Sequence, residues 1–207
     1  MVPEKRLPQR RSRDRHAATT GFTLIELVFA LALSVVLVGV AIPVGADAVD
    51  DMRTRAAARY VSGRIASSRL GAINRSRAIG LRFVPGSPDY QFGAYVDGNG
   101  NGLRTVEIQG GTDVPLGTSR QLGTDFRGVR FGLTIGIPDI DGVRNTNSDG
   151  VRIGTPRILT MSPDGTATSG TLYVQGARAQ YAVRVLGATG RTRVLKYEPG
   201  SRSWVSS

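Results

Sequence analysis

The chain becomes apolar at Gly21-Phe22-Thr23-Leu24-Ile25-Glu26-Leu27, a stretch that carries one carboxylate among large hydrophobic side chains. The apolar run continues to Val44 and contains few polar residues. A helix over this run would be about 34 Å long, which is enough to cross the hydrocarbon core of a bilayer. Because an acid inside a membrane helix costs about 3 kcal/mol on insertion scales, the sequence predicts a function for Glu26.

Residues 1–21 form a polar, basic segment in front of this run. Such a cluster of cations predicts that the N-terminus stays in the cytoplasm and that the rest of the chain is exported. An unrelated protein anchored by a single membrane span would have the same basic flank and apolar run. That alternative leaves the carboxylate of Glu26 unexplained. The cationic residues are Lys5, Arg6, Arg10, Arg11, Arg13 and Arg15.

The segment 47–80 has an amphipathic pattern. Small and apolar residues recur at steps of three, four and seven, which predicts one buried helical stripe, and arginines occupy much of the remaining surface. Pro43 can kink a helix without ending it. The sequence therefore predicts one long helix with an apolar membrane half and an amphipathic half. The stripe consists of Ala58, Val61, Ile65, Ser68, Ala72 and Ile79.

After Gly80 the chain consists of short apolar or alternating segments separated by glycine, proline, asparagine and aspartate, a pattern that predicts strands. A helix followed by many antiparallel strands predicts an α+β fold, in which the long N-terminal helix packs on an antiparallel β-sheet head. The predicted strands are 80–84, 90–96, 103–108, 129–137, 156–161, 171–175, 180–187 and 191–197.

The composition argues against an enzyme. The chain has no cysteine, and its one histidine, His16, lies in the basic N-terminal segment. Without that segment the usual zinc ligands and the commonest general base are missing. We therefore predict that the protein is not an enzyme and needs no catalytic cofactor. The formal net charge of +11 favours anionic lipid, acidic proteins or nucleic acid as partners.

The stretch Gly21-Phe22-Thr23-Leu24-Ile25-Glu26-Leu27 resembles the processing motif of type IV pilins and type II secretion pseudopilins. The resemblance implies that prepilin peptidase cleaves between Gly21 and Phe22 and that the new N-terminal Phe22 is N-methylated. Glu26 would be the fifth mature residue, and Pro43 falls where these proteins often carry a helix-bending proline. We expect Glu26 to supply the counter-charge for the N-terminal ammonium of an adjacent subunit during assembly.

The resemblance also implies four segments and a location. Residues 1–21 would be a cleaved basic leader, 22–46 a transmembrane and assembly helix, 47–80 the amphipathic helix of the head, and 81–207 a β-rich periplasmic or extracellular head. The chain would cross the bacterial inner membrane once, with a cytoplasmic N-terminus, before it enters a pilus or pseudopilus. The implied partners are prepilin peptidase, the inner membrane and other major and minor pilins or pseudopilins.

The head carries a second resemblance. Its motifs are similar to those of the family that joins H-type minor pseudopilins of type II secretion with FimT-like minor pilins. Such proteins lie at or near a filament tip, where they prime assembly or contact cargo. The sequence leaves the machine open: a secretion pseudopilus that contacts exported protein, or a type IV pilus that takes up DNA. The motifs are Ala72-Ile73-Asn74-Arg75-Ser76-Arg77-Ala78, Asp97-Gly98-Asn99-Gly100-Asn101-Gly102, Ser162-Pro163-Asp164-Gly165-Thr166-Ala167-Thr168-Ser169-Gly170-Thr171-Leu172 and Gly190-Arg191-Thr192-Arg193.

The Gly190-Arg191-Thr192-Arg193 motif resembles a DNA-binding motif of FimT-like pilins. On an extended strand Arg191 and Arg193 share one face about 7 Å apart, a spacing that suits successive phosphates. Lys196 lies close by in sequence and is predicted to contribute to the same site. The alternative is that the motif ends a hairpin and that its arginines are solvated.

The segment 97–102 resembles the start of a calcium loop, with oxygen ligands at Asp97, Asn99 and Asn101 and a glycine in sixth place. The acid that a calcium loop needs near its end is Glu107, one position too early. A β-hairpin turn between two strands explains the same residues without a metal. Calcium is the one cofactor that the sequence suggests.

Overall fold

A computed structural model of the protein describes residues 21–207, apart from the side chains of residues 40–44. The predicted leader therefore lies outside the described residues, except for Gly21. The contacts divide the chain into two compact units, Met1–Ile42 and Pro43–Ser207. Each unit is described by itself.

The described secondary structure consists of one long helix, two short helices and many strands. Several strands have only two residues. The helices are α1 (Leu24–Arg75), α2 (Thr105–Gly110) and α3 (Leu122–Asp125). The strands are β1 (Ile79–Val84), β2 (Gln91–Val96), β3 (Val114–Pro115), β4 (Arg120–Gln121), β5 (Arg130–Phe131), β6 (Val151–Arg152), β7 (Ile158–Met161), β8 (Gly170–Gln175), β9 (Gln180–Leu186), β10 (Arg191–Glu198) and β11 (Ser203–Ser206).

The strands form two antiparallel sheets. The first sheet has the order β3-β2-β1-β7, with β4 also paired to β2, and the second has the order β11-β10-β9-β8-β5, with β6 paired to β8. In the second sheet Thr192 of β10 lies opposite Val185 of β9, and Val194 lies opposite Val183. Successive strands β8, β9 and β10 therefore form a meander, and this meander carries the arginine motif.

The amphipathic stripe of α1 is buried, as its spacing predicts. Ala58, Ile65 and Ala72 are fully buried and join one continuous core with apolar side chains of both sheets. Ile79, which was expected to continue the stripe, is the first residue of β1. The helix ends before it, at Arg75, and Arg77 N–H bonds back to the carbonyl of Ala72 at 3.2 Å.

The predicted fold class is wrong in its architecture. An α+β head with one antiparallel sheet under the helix was expected, whereas the described strands form two antiparallel sheets, with the short helices α2 and α3 between strands. Period-two patterns identify strands but do not say which sheet a strand joins, because pairing is set by contacts between distant residues. Here β7 crosses back to pair with β1, while the neighbouring β6 and β8 belong to the second sheet.

The predicted membrane half of the helix is also corrected. Among the described residues, no helix has both the length and the apolar character needed to cross a membrane. The described stretch 24–39 carries mostly apolar side chains. The following described stretch, 45–75, carries the arginines and aspartates of the amphipathic pattern.

Two predicted strands are wrong because turn chemistry overrides alternation. The segment 103–108 alternates polar and apolar residues, but Thr105–Gly110 is helical and ends at Gly111, whose φ of 80° allows its N–H to bond to the carbonyl of Glu107. The expected hairpin after β2 is therefore absent, and β2 pairs with β3 and β4 instead. Of the predicted strand 129–137, only Arg130–Phe131 pairs, and Gly136 has a φ of 91°.

The start of the amphipathic half is anchored to the second sheet by Asp50. Its carboxylate accepts the backbone N–H groups of Ala177, Arg178 and Ala179 at 2.8 to 2.9 Å, in the turn between β8 and β9. An added Cβ at Gly176 would collide with Asp50 and Thr54, so this turn fits closely on the helix. The contact joins residues that are 127 to 129 positions apart.

The same anchor makes the protein sensitive to acid. Burial alone raises the pKa of Asp50, but the three amide N–H groups, with Arg53, lower that pKa below its ordinary value of 3.8. Because the folded-state pKa is the lower one, the carboxylate stabilises the fold fully above the unfolded-state pKa. This stabilisation is lost as the pH falls through the folded-state pKa.

We expect Asp50→Asn to lower the free energy of unfolding at pH 7 by about 1–3 kcal/mol, because hydrogen bonds to a charged acceptor are lost. The variant should also lose less stability than the wild type between pH 5 and pH 3. Denaturant unfolding at several pH values measures both effects. Asp47→Asn is the matched control, since Asp47 makes only an exposed ion pair with Arg178 at 2.6 Å. Equal losses in the two variants would contradict the anchor.

Candidate functional site

The predicted processing site lies just before the start of the helix. Gly21, Phe22 and Thr23 are not helical, and α1 begins at Leu24. Thr23 caps the helix, because its side-chain oxygen accepts the N–H of Glu26 at 3.3 Å and its carbonyl accepts the N–H of Leu27 at 3.1 Å. Thr23 and Glu26 have the spacing of a capping box. The backbone N–H of Glu26 thus takes part in the capping of α1, and the role of its carboxylate stays a prediction.

The helix that follows presents apolar side chains on all sides. The large hydrophobic residues from Phe22 to Val38 are 52% to 84% exposed. Contiguous apolar surface of this extent marks a surface that is buried against protein or lipid. Pro43 lies within α1, but its side chain and the predicted bend lie outside the described residues.

The arginines of the motif lie on β10, between β11 and β9 of the second sheet. Arg191 and Arg193 are both exposed and are two residues apart on one strand, so they share the face that points away from α1. Among residues 21–207, neither side chain forms an ion pair. The register places Arg193 directly opposite Arg184 of β9. Arg184 therefore lies on the same face as Arg191 and Arg193.

Lys196 does not lie on this face. Thr192, Val194 and Lys196 alternate with the arginines and point toward α1, where the hydroxyls of Thr192 and Ser62 are 2.6 Å apart. The ammonium group of Lys196 lies 3.1 Å from Asp51, and this contact raises the pKa of the lysine. The structure thus assembles Arg191 and Arg193 and leaves Lys196 in a helix–sheet contact.

The glycine of the motif has a structural reason. Gly190 has a φ of 60°, and an added Cβ would lie 2.5 Å from the carbonyl oxygen of Gly165 and 2.6 Å from the side chain of Arg69. Arg69 of α1 donates to the same Gly165 carbonyl at 2.7 Å. Gly165 and Gly190, which belong to two motifs that are distant in sequence, therefore both lie against Arg69 of α1.

Three aromatic residues extend the arginine face and were not recognised as a group in the sequence. The rings of Tyr197 and Trp204 are 5.4 Å apart, and those of Trp204 and Tyr173 are 5.6 Å apart. Tyr197 shares the face of Arg193, four residues further along β10. Only strand pairing between β10 and β11 brings Trp204 opposite Tyr197, and this pairing has no local sequence signal.

The segment 97–102 is a loop that leads towards α2. Asp97 is almost fully buried, and its two carboxylate oxygens accept the backbone N–H groups of Gly102 at 2.7 Å and Asn99 at 3.2 Å. The side-chain amides of Asn99 and Asn101 donate to one oxygen of Glu107 at 3.3 and 2.8 Å. Within the described residues, no group of three or more His, Cys, Asp or Glu side chains could hold a metal ion. Calcium binding by this loop stays a prediction.

A cavity of about 520 Å³ opens beside Tyr90 and Asp149. The hydroxyl of Tyr90 donates to one oxygen of Asp149 at 2.7 Å, and Arg157 donates to the other at 2.7 Å. Burial and the bond to Asp149 raise the pKa of Tyr90 to about 12. These three groups therefore satisfy one another's hydrogen bonds.

Comparison of the chain with protein-family models, with curated proteins and with solved structures finds no match. The resemblance to pilins and pseudopilins therefore rests on the residues quoted above.

Proposed function

We propose that the protein is a minor pilin or pseudopilin. Prepilin peptidase cleaves it between Gly21 and Phe22, and it then assembles at or near the tip of a type IV pilus or a type II secretion pseudopilus. The stretch Gly21–Leu27 carries the proposal: a non-helical cleavage site is followed at once by a capped helix start, an acid in the first turn and an apolar surface.

The exposed apolar residues of the first helical stretch support an assembly role. Their burial against neighbouring pilins or pseudopilins would stabilise the assembly by about 25 cal/mol for each Å² of apolar surface removed from water. Before assembly the chain resides at the inner membrane, with its head in the periplasm or outside the cell. The head acts by contact with other subunits or cargo and carries no catalytic chemistry.

Sheared filaments test this proposal. A tagged full-length chain should appear in the sheared-filament fraction of cells that contain prepilin peptidase and should be absent from it when the peptidase gene is deleted. Deletion of the chain itself, scored for protein secretion and for DNA uptake, then identifies the machine. A chain found only outside filaments, whether or not the peptidase is present, would contradict the proposal.

A second function, DNA binding, is favoured by the two arginines of β10, which form no ion pair with any acid in residues 21–207. Arg191 and Arg193 lie on one face, about 7 Å apart, where two phosphates of a DNA backbone can be bound. Arg184 adds a third cation opposite Arg193. In this proposal the same minor pilin binds DNA for uptake.

We expect Arg191→Ala/Arg193→Ala to weaken binding of a short DNA duplex at least about tenfold and to reduce the slope of log affinity against log salt by about 2. Lys196→Ala is the matched control and should change the affinity less than about twofold, since Lys196 faces α1 and is paired with Asp51. Fluorescence titration at two salt concentrations measures both quantities. If wild type does not bind, or if Lys196→Ala loses as much as the double variant, the arginine face is not a DNA site.

A further inference from the structure

The two arginines that face each other across β9 and β10 form an unfavourable pair. Arg184 and Arg193 are direct register partners in the antiparallel ladder, so their Cβ atoms are about 5 Å apart. Like charges in this position destabilise a sheet. Arg191 adds a third positive charge on the same face. An anion close to Arg184 and Arg193 would therefore reduce the repulsion between them.

A carboxylate from the 132–150 connection between β5 and β6 supplies that anion. The Oδ2 atom of Asp141 lies 2.8 Å from Nη1 of Arg184, and the Thr171 hydroxyl accepts from the same nitrogen at 3.4 Å. Asp141 reaches only one of the three arginines. Its side chain is 63% exposed, so a competing anion can reach the contact from solvent.

The connection itself does not depend on Asp141. Asp139 accepts from Arg152 at 3.0 Å, the indole N–H of Trp204 donates to the carbonyl of Pro138 at 3.0 Å, and the N–H of Ile140 donates to Tyr173 at 3.1 Å. These contacts hold the connection over the outer face of the second sheet. Neutralising Asp141 would therefore free Arg184 without releasing the connection.

We propose that Asp141 is an internal competitor of the DNA phosphate for Arg184. In the free protein Asp141 occupies Arg184 and leaves a two-arginine site. Because Asp141 holds Arg184, the wild-type protein binds a phosphodiester through Arg191 and Arg193, and Arg184 becomes a third contact only once Asp141 no longer holds it. The proposal rests on the DNA-binding function proposed above. It adds Asp141 as the group that limits the affinity of the protein for DNA.

Asp141→Asn in the full-length chain tests the proposal. With a short fluorescent DNA duplex as the probe, the variant should bind about three- to tenfold more tightly than wild type, because one more charge-assisted contact becomes available. The slope of log affinity against log salt should steepen by about 0.9. Adding Arg184→Gln should cancel both changes.

Asp125→Asn is the matched control. It removes one negative charge and frees one arginine, Arg120, from an exposed ion pair of 3.2 Å, but it lies in α3, next to β5, at the opposite edge of the second sheet from β10. It should leave the affinity within about twofold of wild type. Equal gains in Asp141→Asn and Asp125→Asn would mean that net charge alone is responsible and would overturn the proposal. The melting temperature of Asp141→Asn should fall slightly, because Arg184 and Arg193 lose their nearby anion. A circular-dichroism spectrum that matches the wild type at the titration temperature excludes a folding effect.

The outcomes separate this inference from the function on which it rests. If Arg191→Ala/Arg193→Ala abolishes binding and Asp141→Asn changes nothing, the DNA site stands and the competitor role is overturned. If the double arginine variant binds as wild type does, or if no form binds DNA, both proposals are overturned.

Discussion

Glu26→Gln should reduce incorporation into filaments at least about tenfold while cleavage after Gly21 continues. The proposed assembly role pairs Glu26 with the N-terminal ammonium of a neighbouring subunit, and an unpaired buried charge costs about 3–5 kcal/mol. A difference of 1.4 kcal/mol already corresponds to a factor of ten. Glutamine suits a capping box as well as glutamate does, so the start of α1 should be unaffected. The amount of tagged chain in sheared filaments, relative to total mature chain, measures the effect.

Thr23→Ala is the control that separates the role of the Glu26 carboxylate from the capping of α1. It removes the side-chain oxygen that accepts the N–H of Glu26 at 3.3 Å, at a cost of about 1 kcal/mol to the helix start. It leaves the carboxylate in place, so incorporation should fall less than in Glu26→Gln. The opposite order, with normal assembly in Glu26→Gln and a loss in Thr23→Ala, would show that this position matters only for capping.

Gly190→Ala should lower the free energy of unfolding by about 2–4 kcal/mol. The alanine would have to adopt a φ of 60° and place its Cβ 2.5 Å from the carbonyl oxygen of Gly165. Arg69 cannot withdraw without breaking its own bond to that carbonyl. Denaturant unfolding of the full-length chain measures the loss.

Gly200→Ala is the matched control for this substitution, because nothing lies within 4 Å of an added Cβ at that position. It should change stability by less than about 1 kcal/mol, as should Arg191→Ala and Arg193→Ala on the exposed face. A small effect of Gly190→Ala would contradict the close packing at Arg69. A large loss of stability in Gly190→Ala and small losses in the two arginine variants would mean that Gly190 is needed for folding, whereas Arg191 and Arg193 are not.

The parts of the fold that were predictable depend on local periodicity. Ala58, Ile65 and Ala72 follow the helical repeat and are buried as expected. The division into two sheets was not predictable, since it depends on pairings such as Leu81 with Leu159 that have no local signal. The anchor between Asp50 and the turn at Ala177 is also a contact between distant residues, and the aspartate has no distinguishing sequence context.

The candidate site shows the same limit. The period of two places Arg191 and Arg193 on one face, and it also places Lys196, three residues beyond Arg193, on the other. This alternation is visible in the sequence, but the prediction for Lys196 rested on its closeness to Arg193 along the chain. The contact between Arg184 and Asp141 joins residues 43 positions apart and could not be inferred from spacing. The capping of α1 by Thr23, by contrast, is readable from the threonine three residues before Glu26.

The N-terminus of the chain recovered from cells tests the central claim most directly. Mass spectrometry of the tagged protein, purified from cells with and without prepilin peptidase, identifies the first residue and its modification. The proposed function predicts a mature chain that begins with N-methylated Phe22 when the peptidase is present and a chain that retains residues 1–21 when it is absent. A first residue that is the same in both strains, or a cleavage site elsewhere, would contradict the claim that this protein is a pilin or pseudopilin.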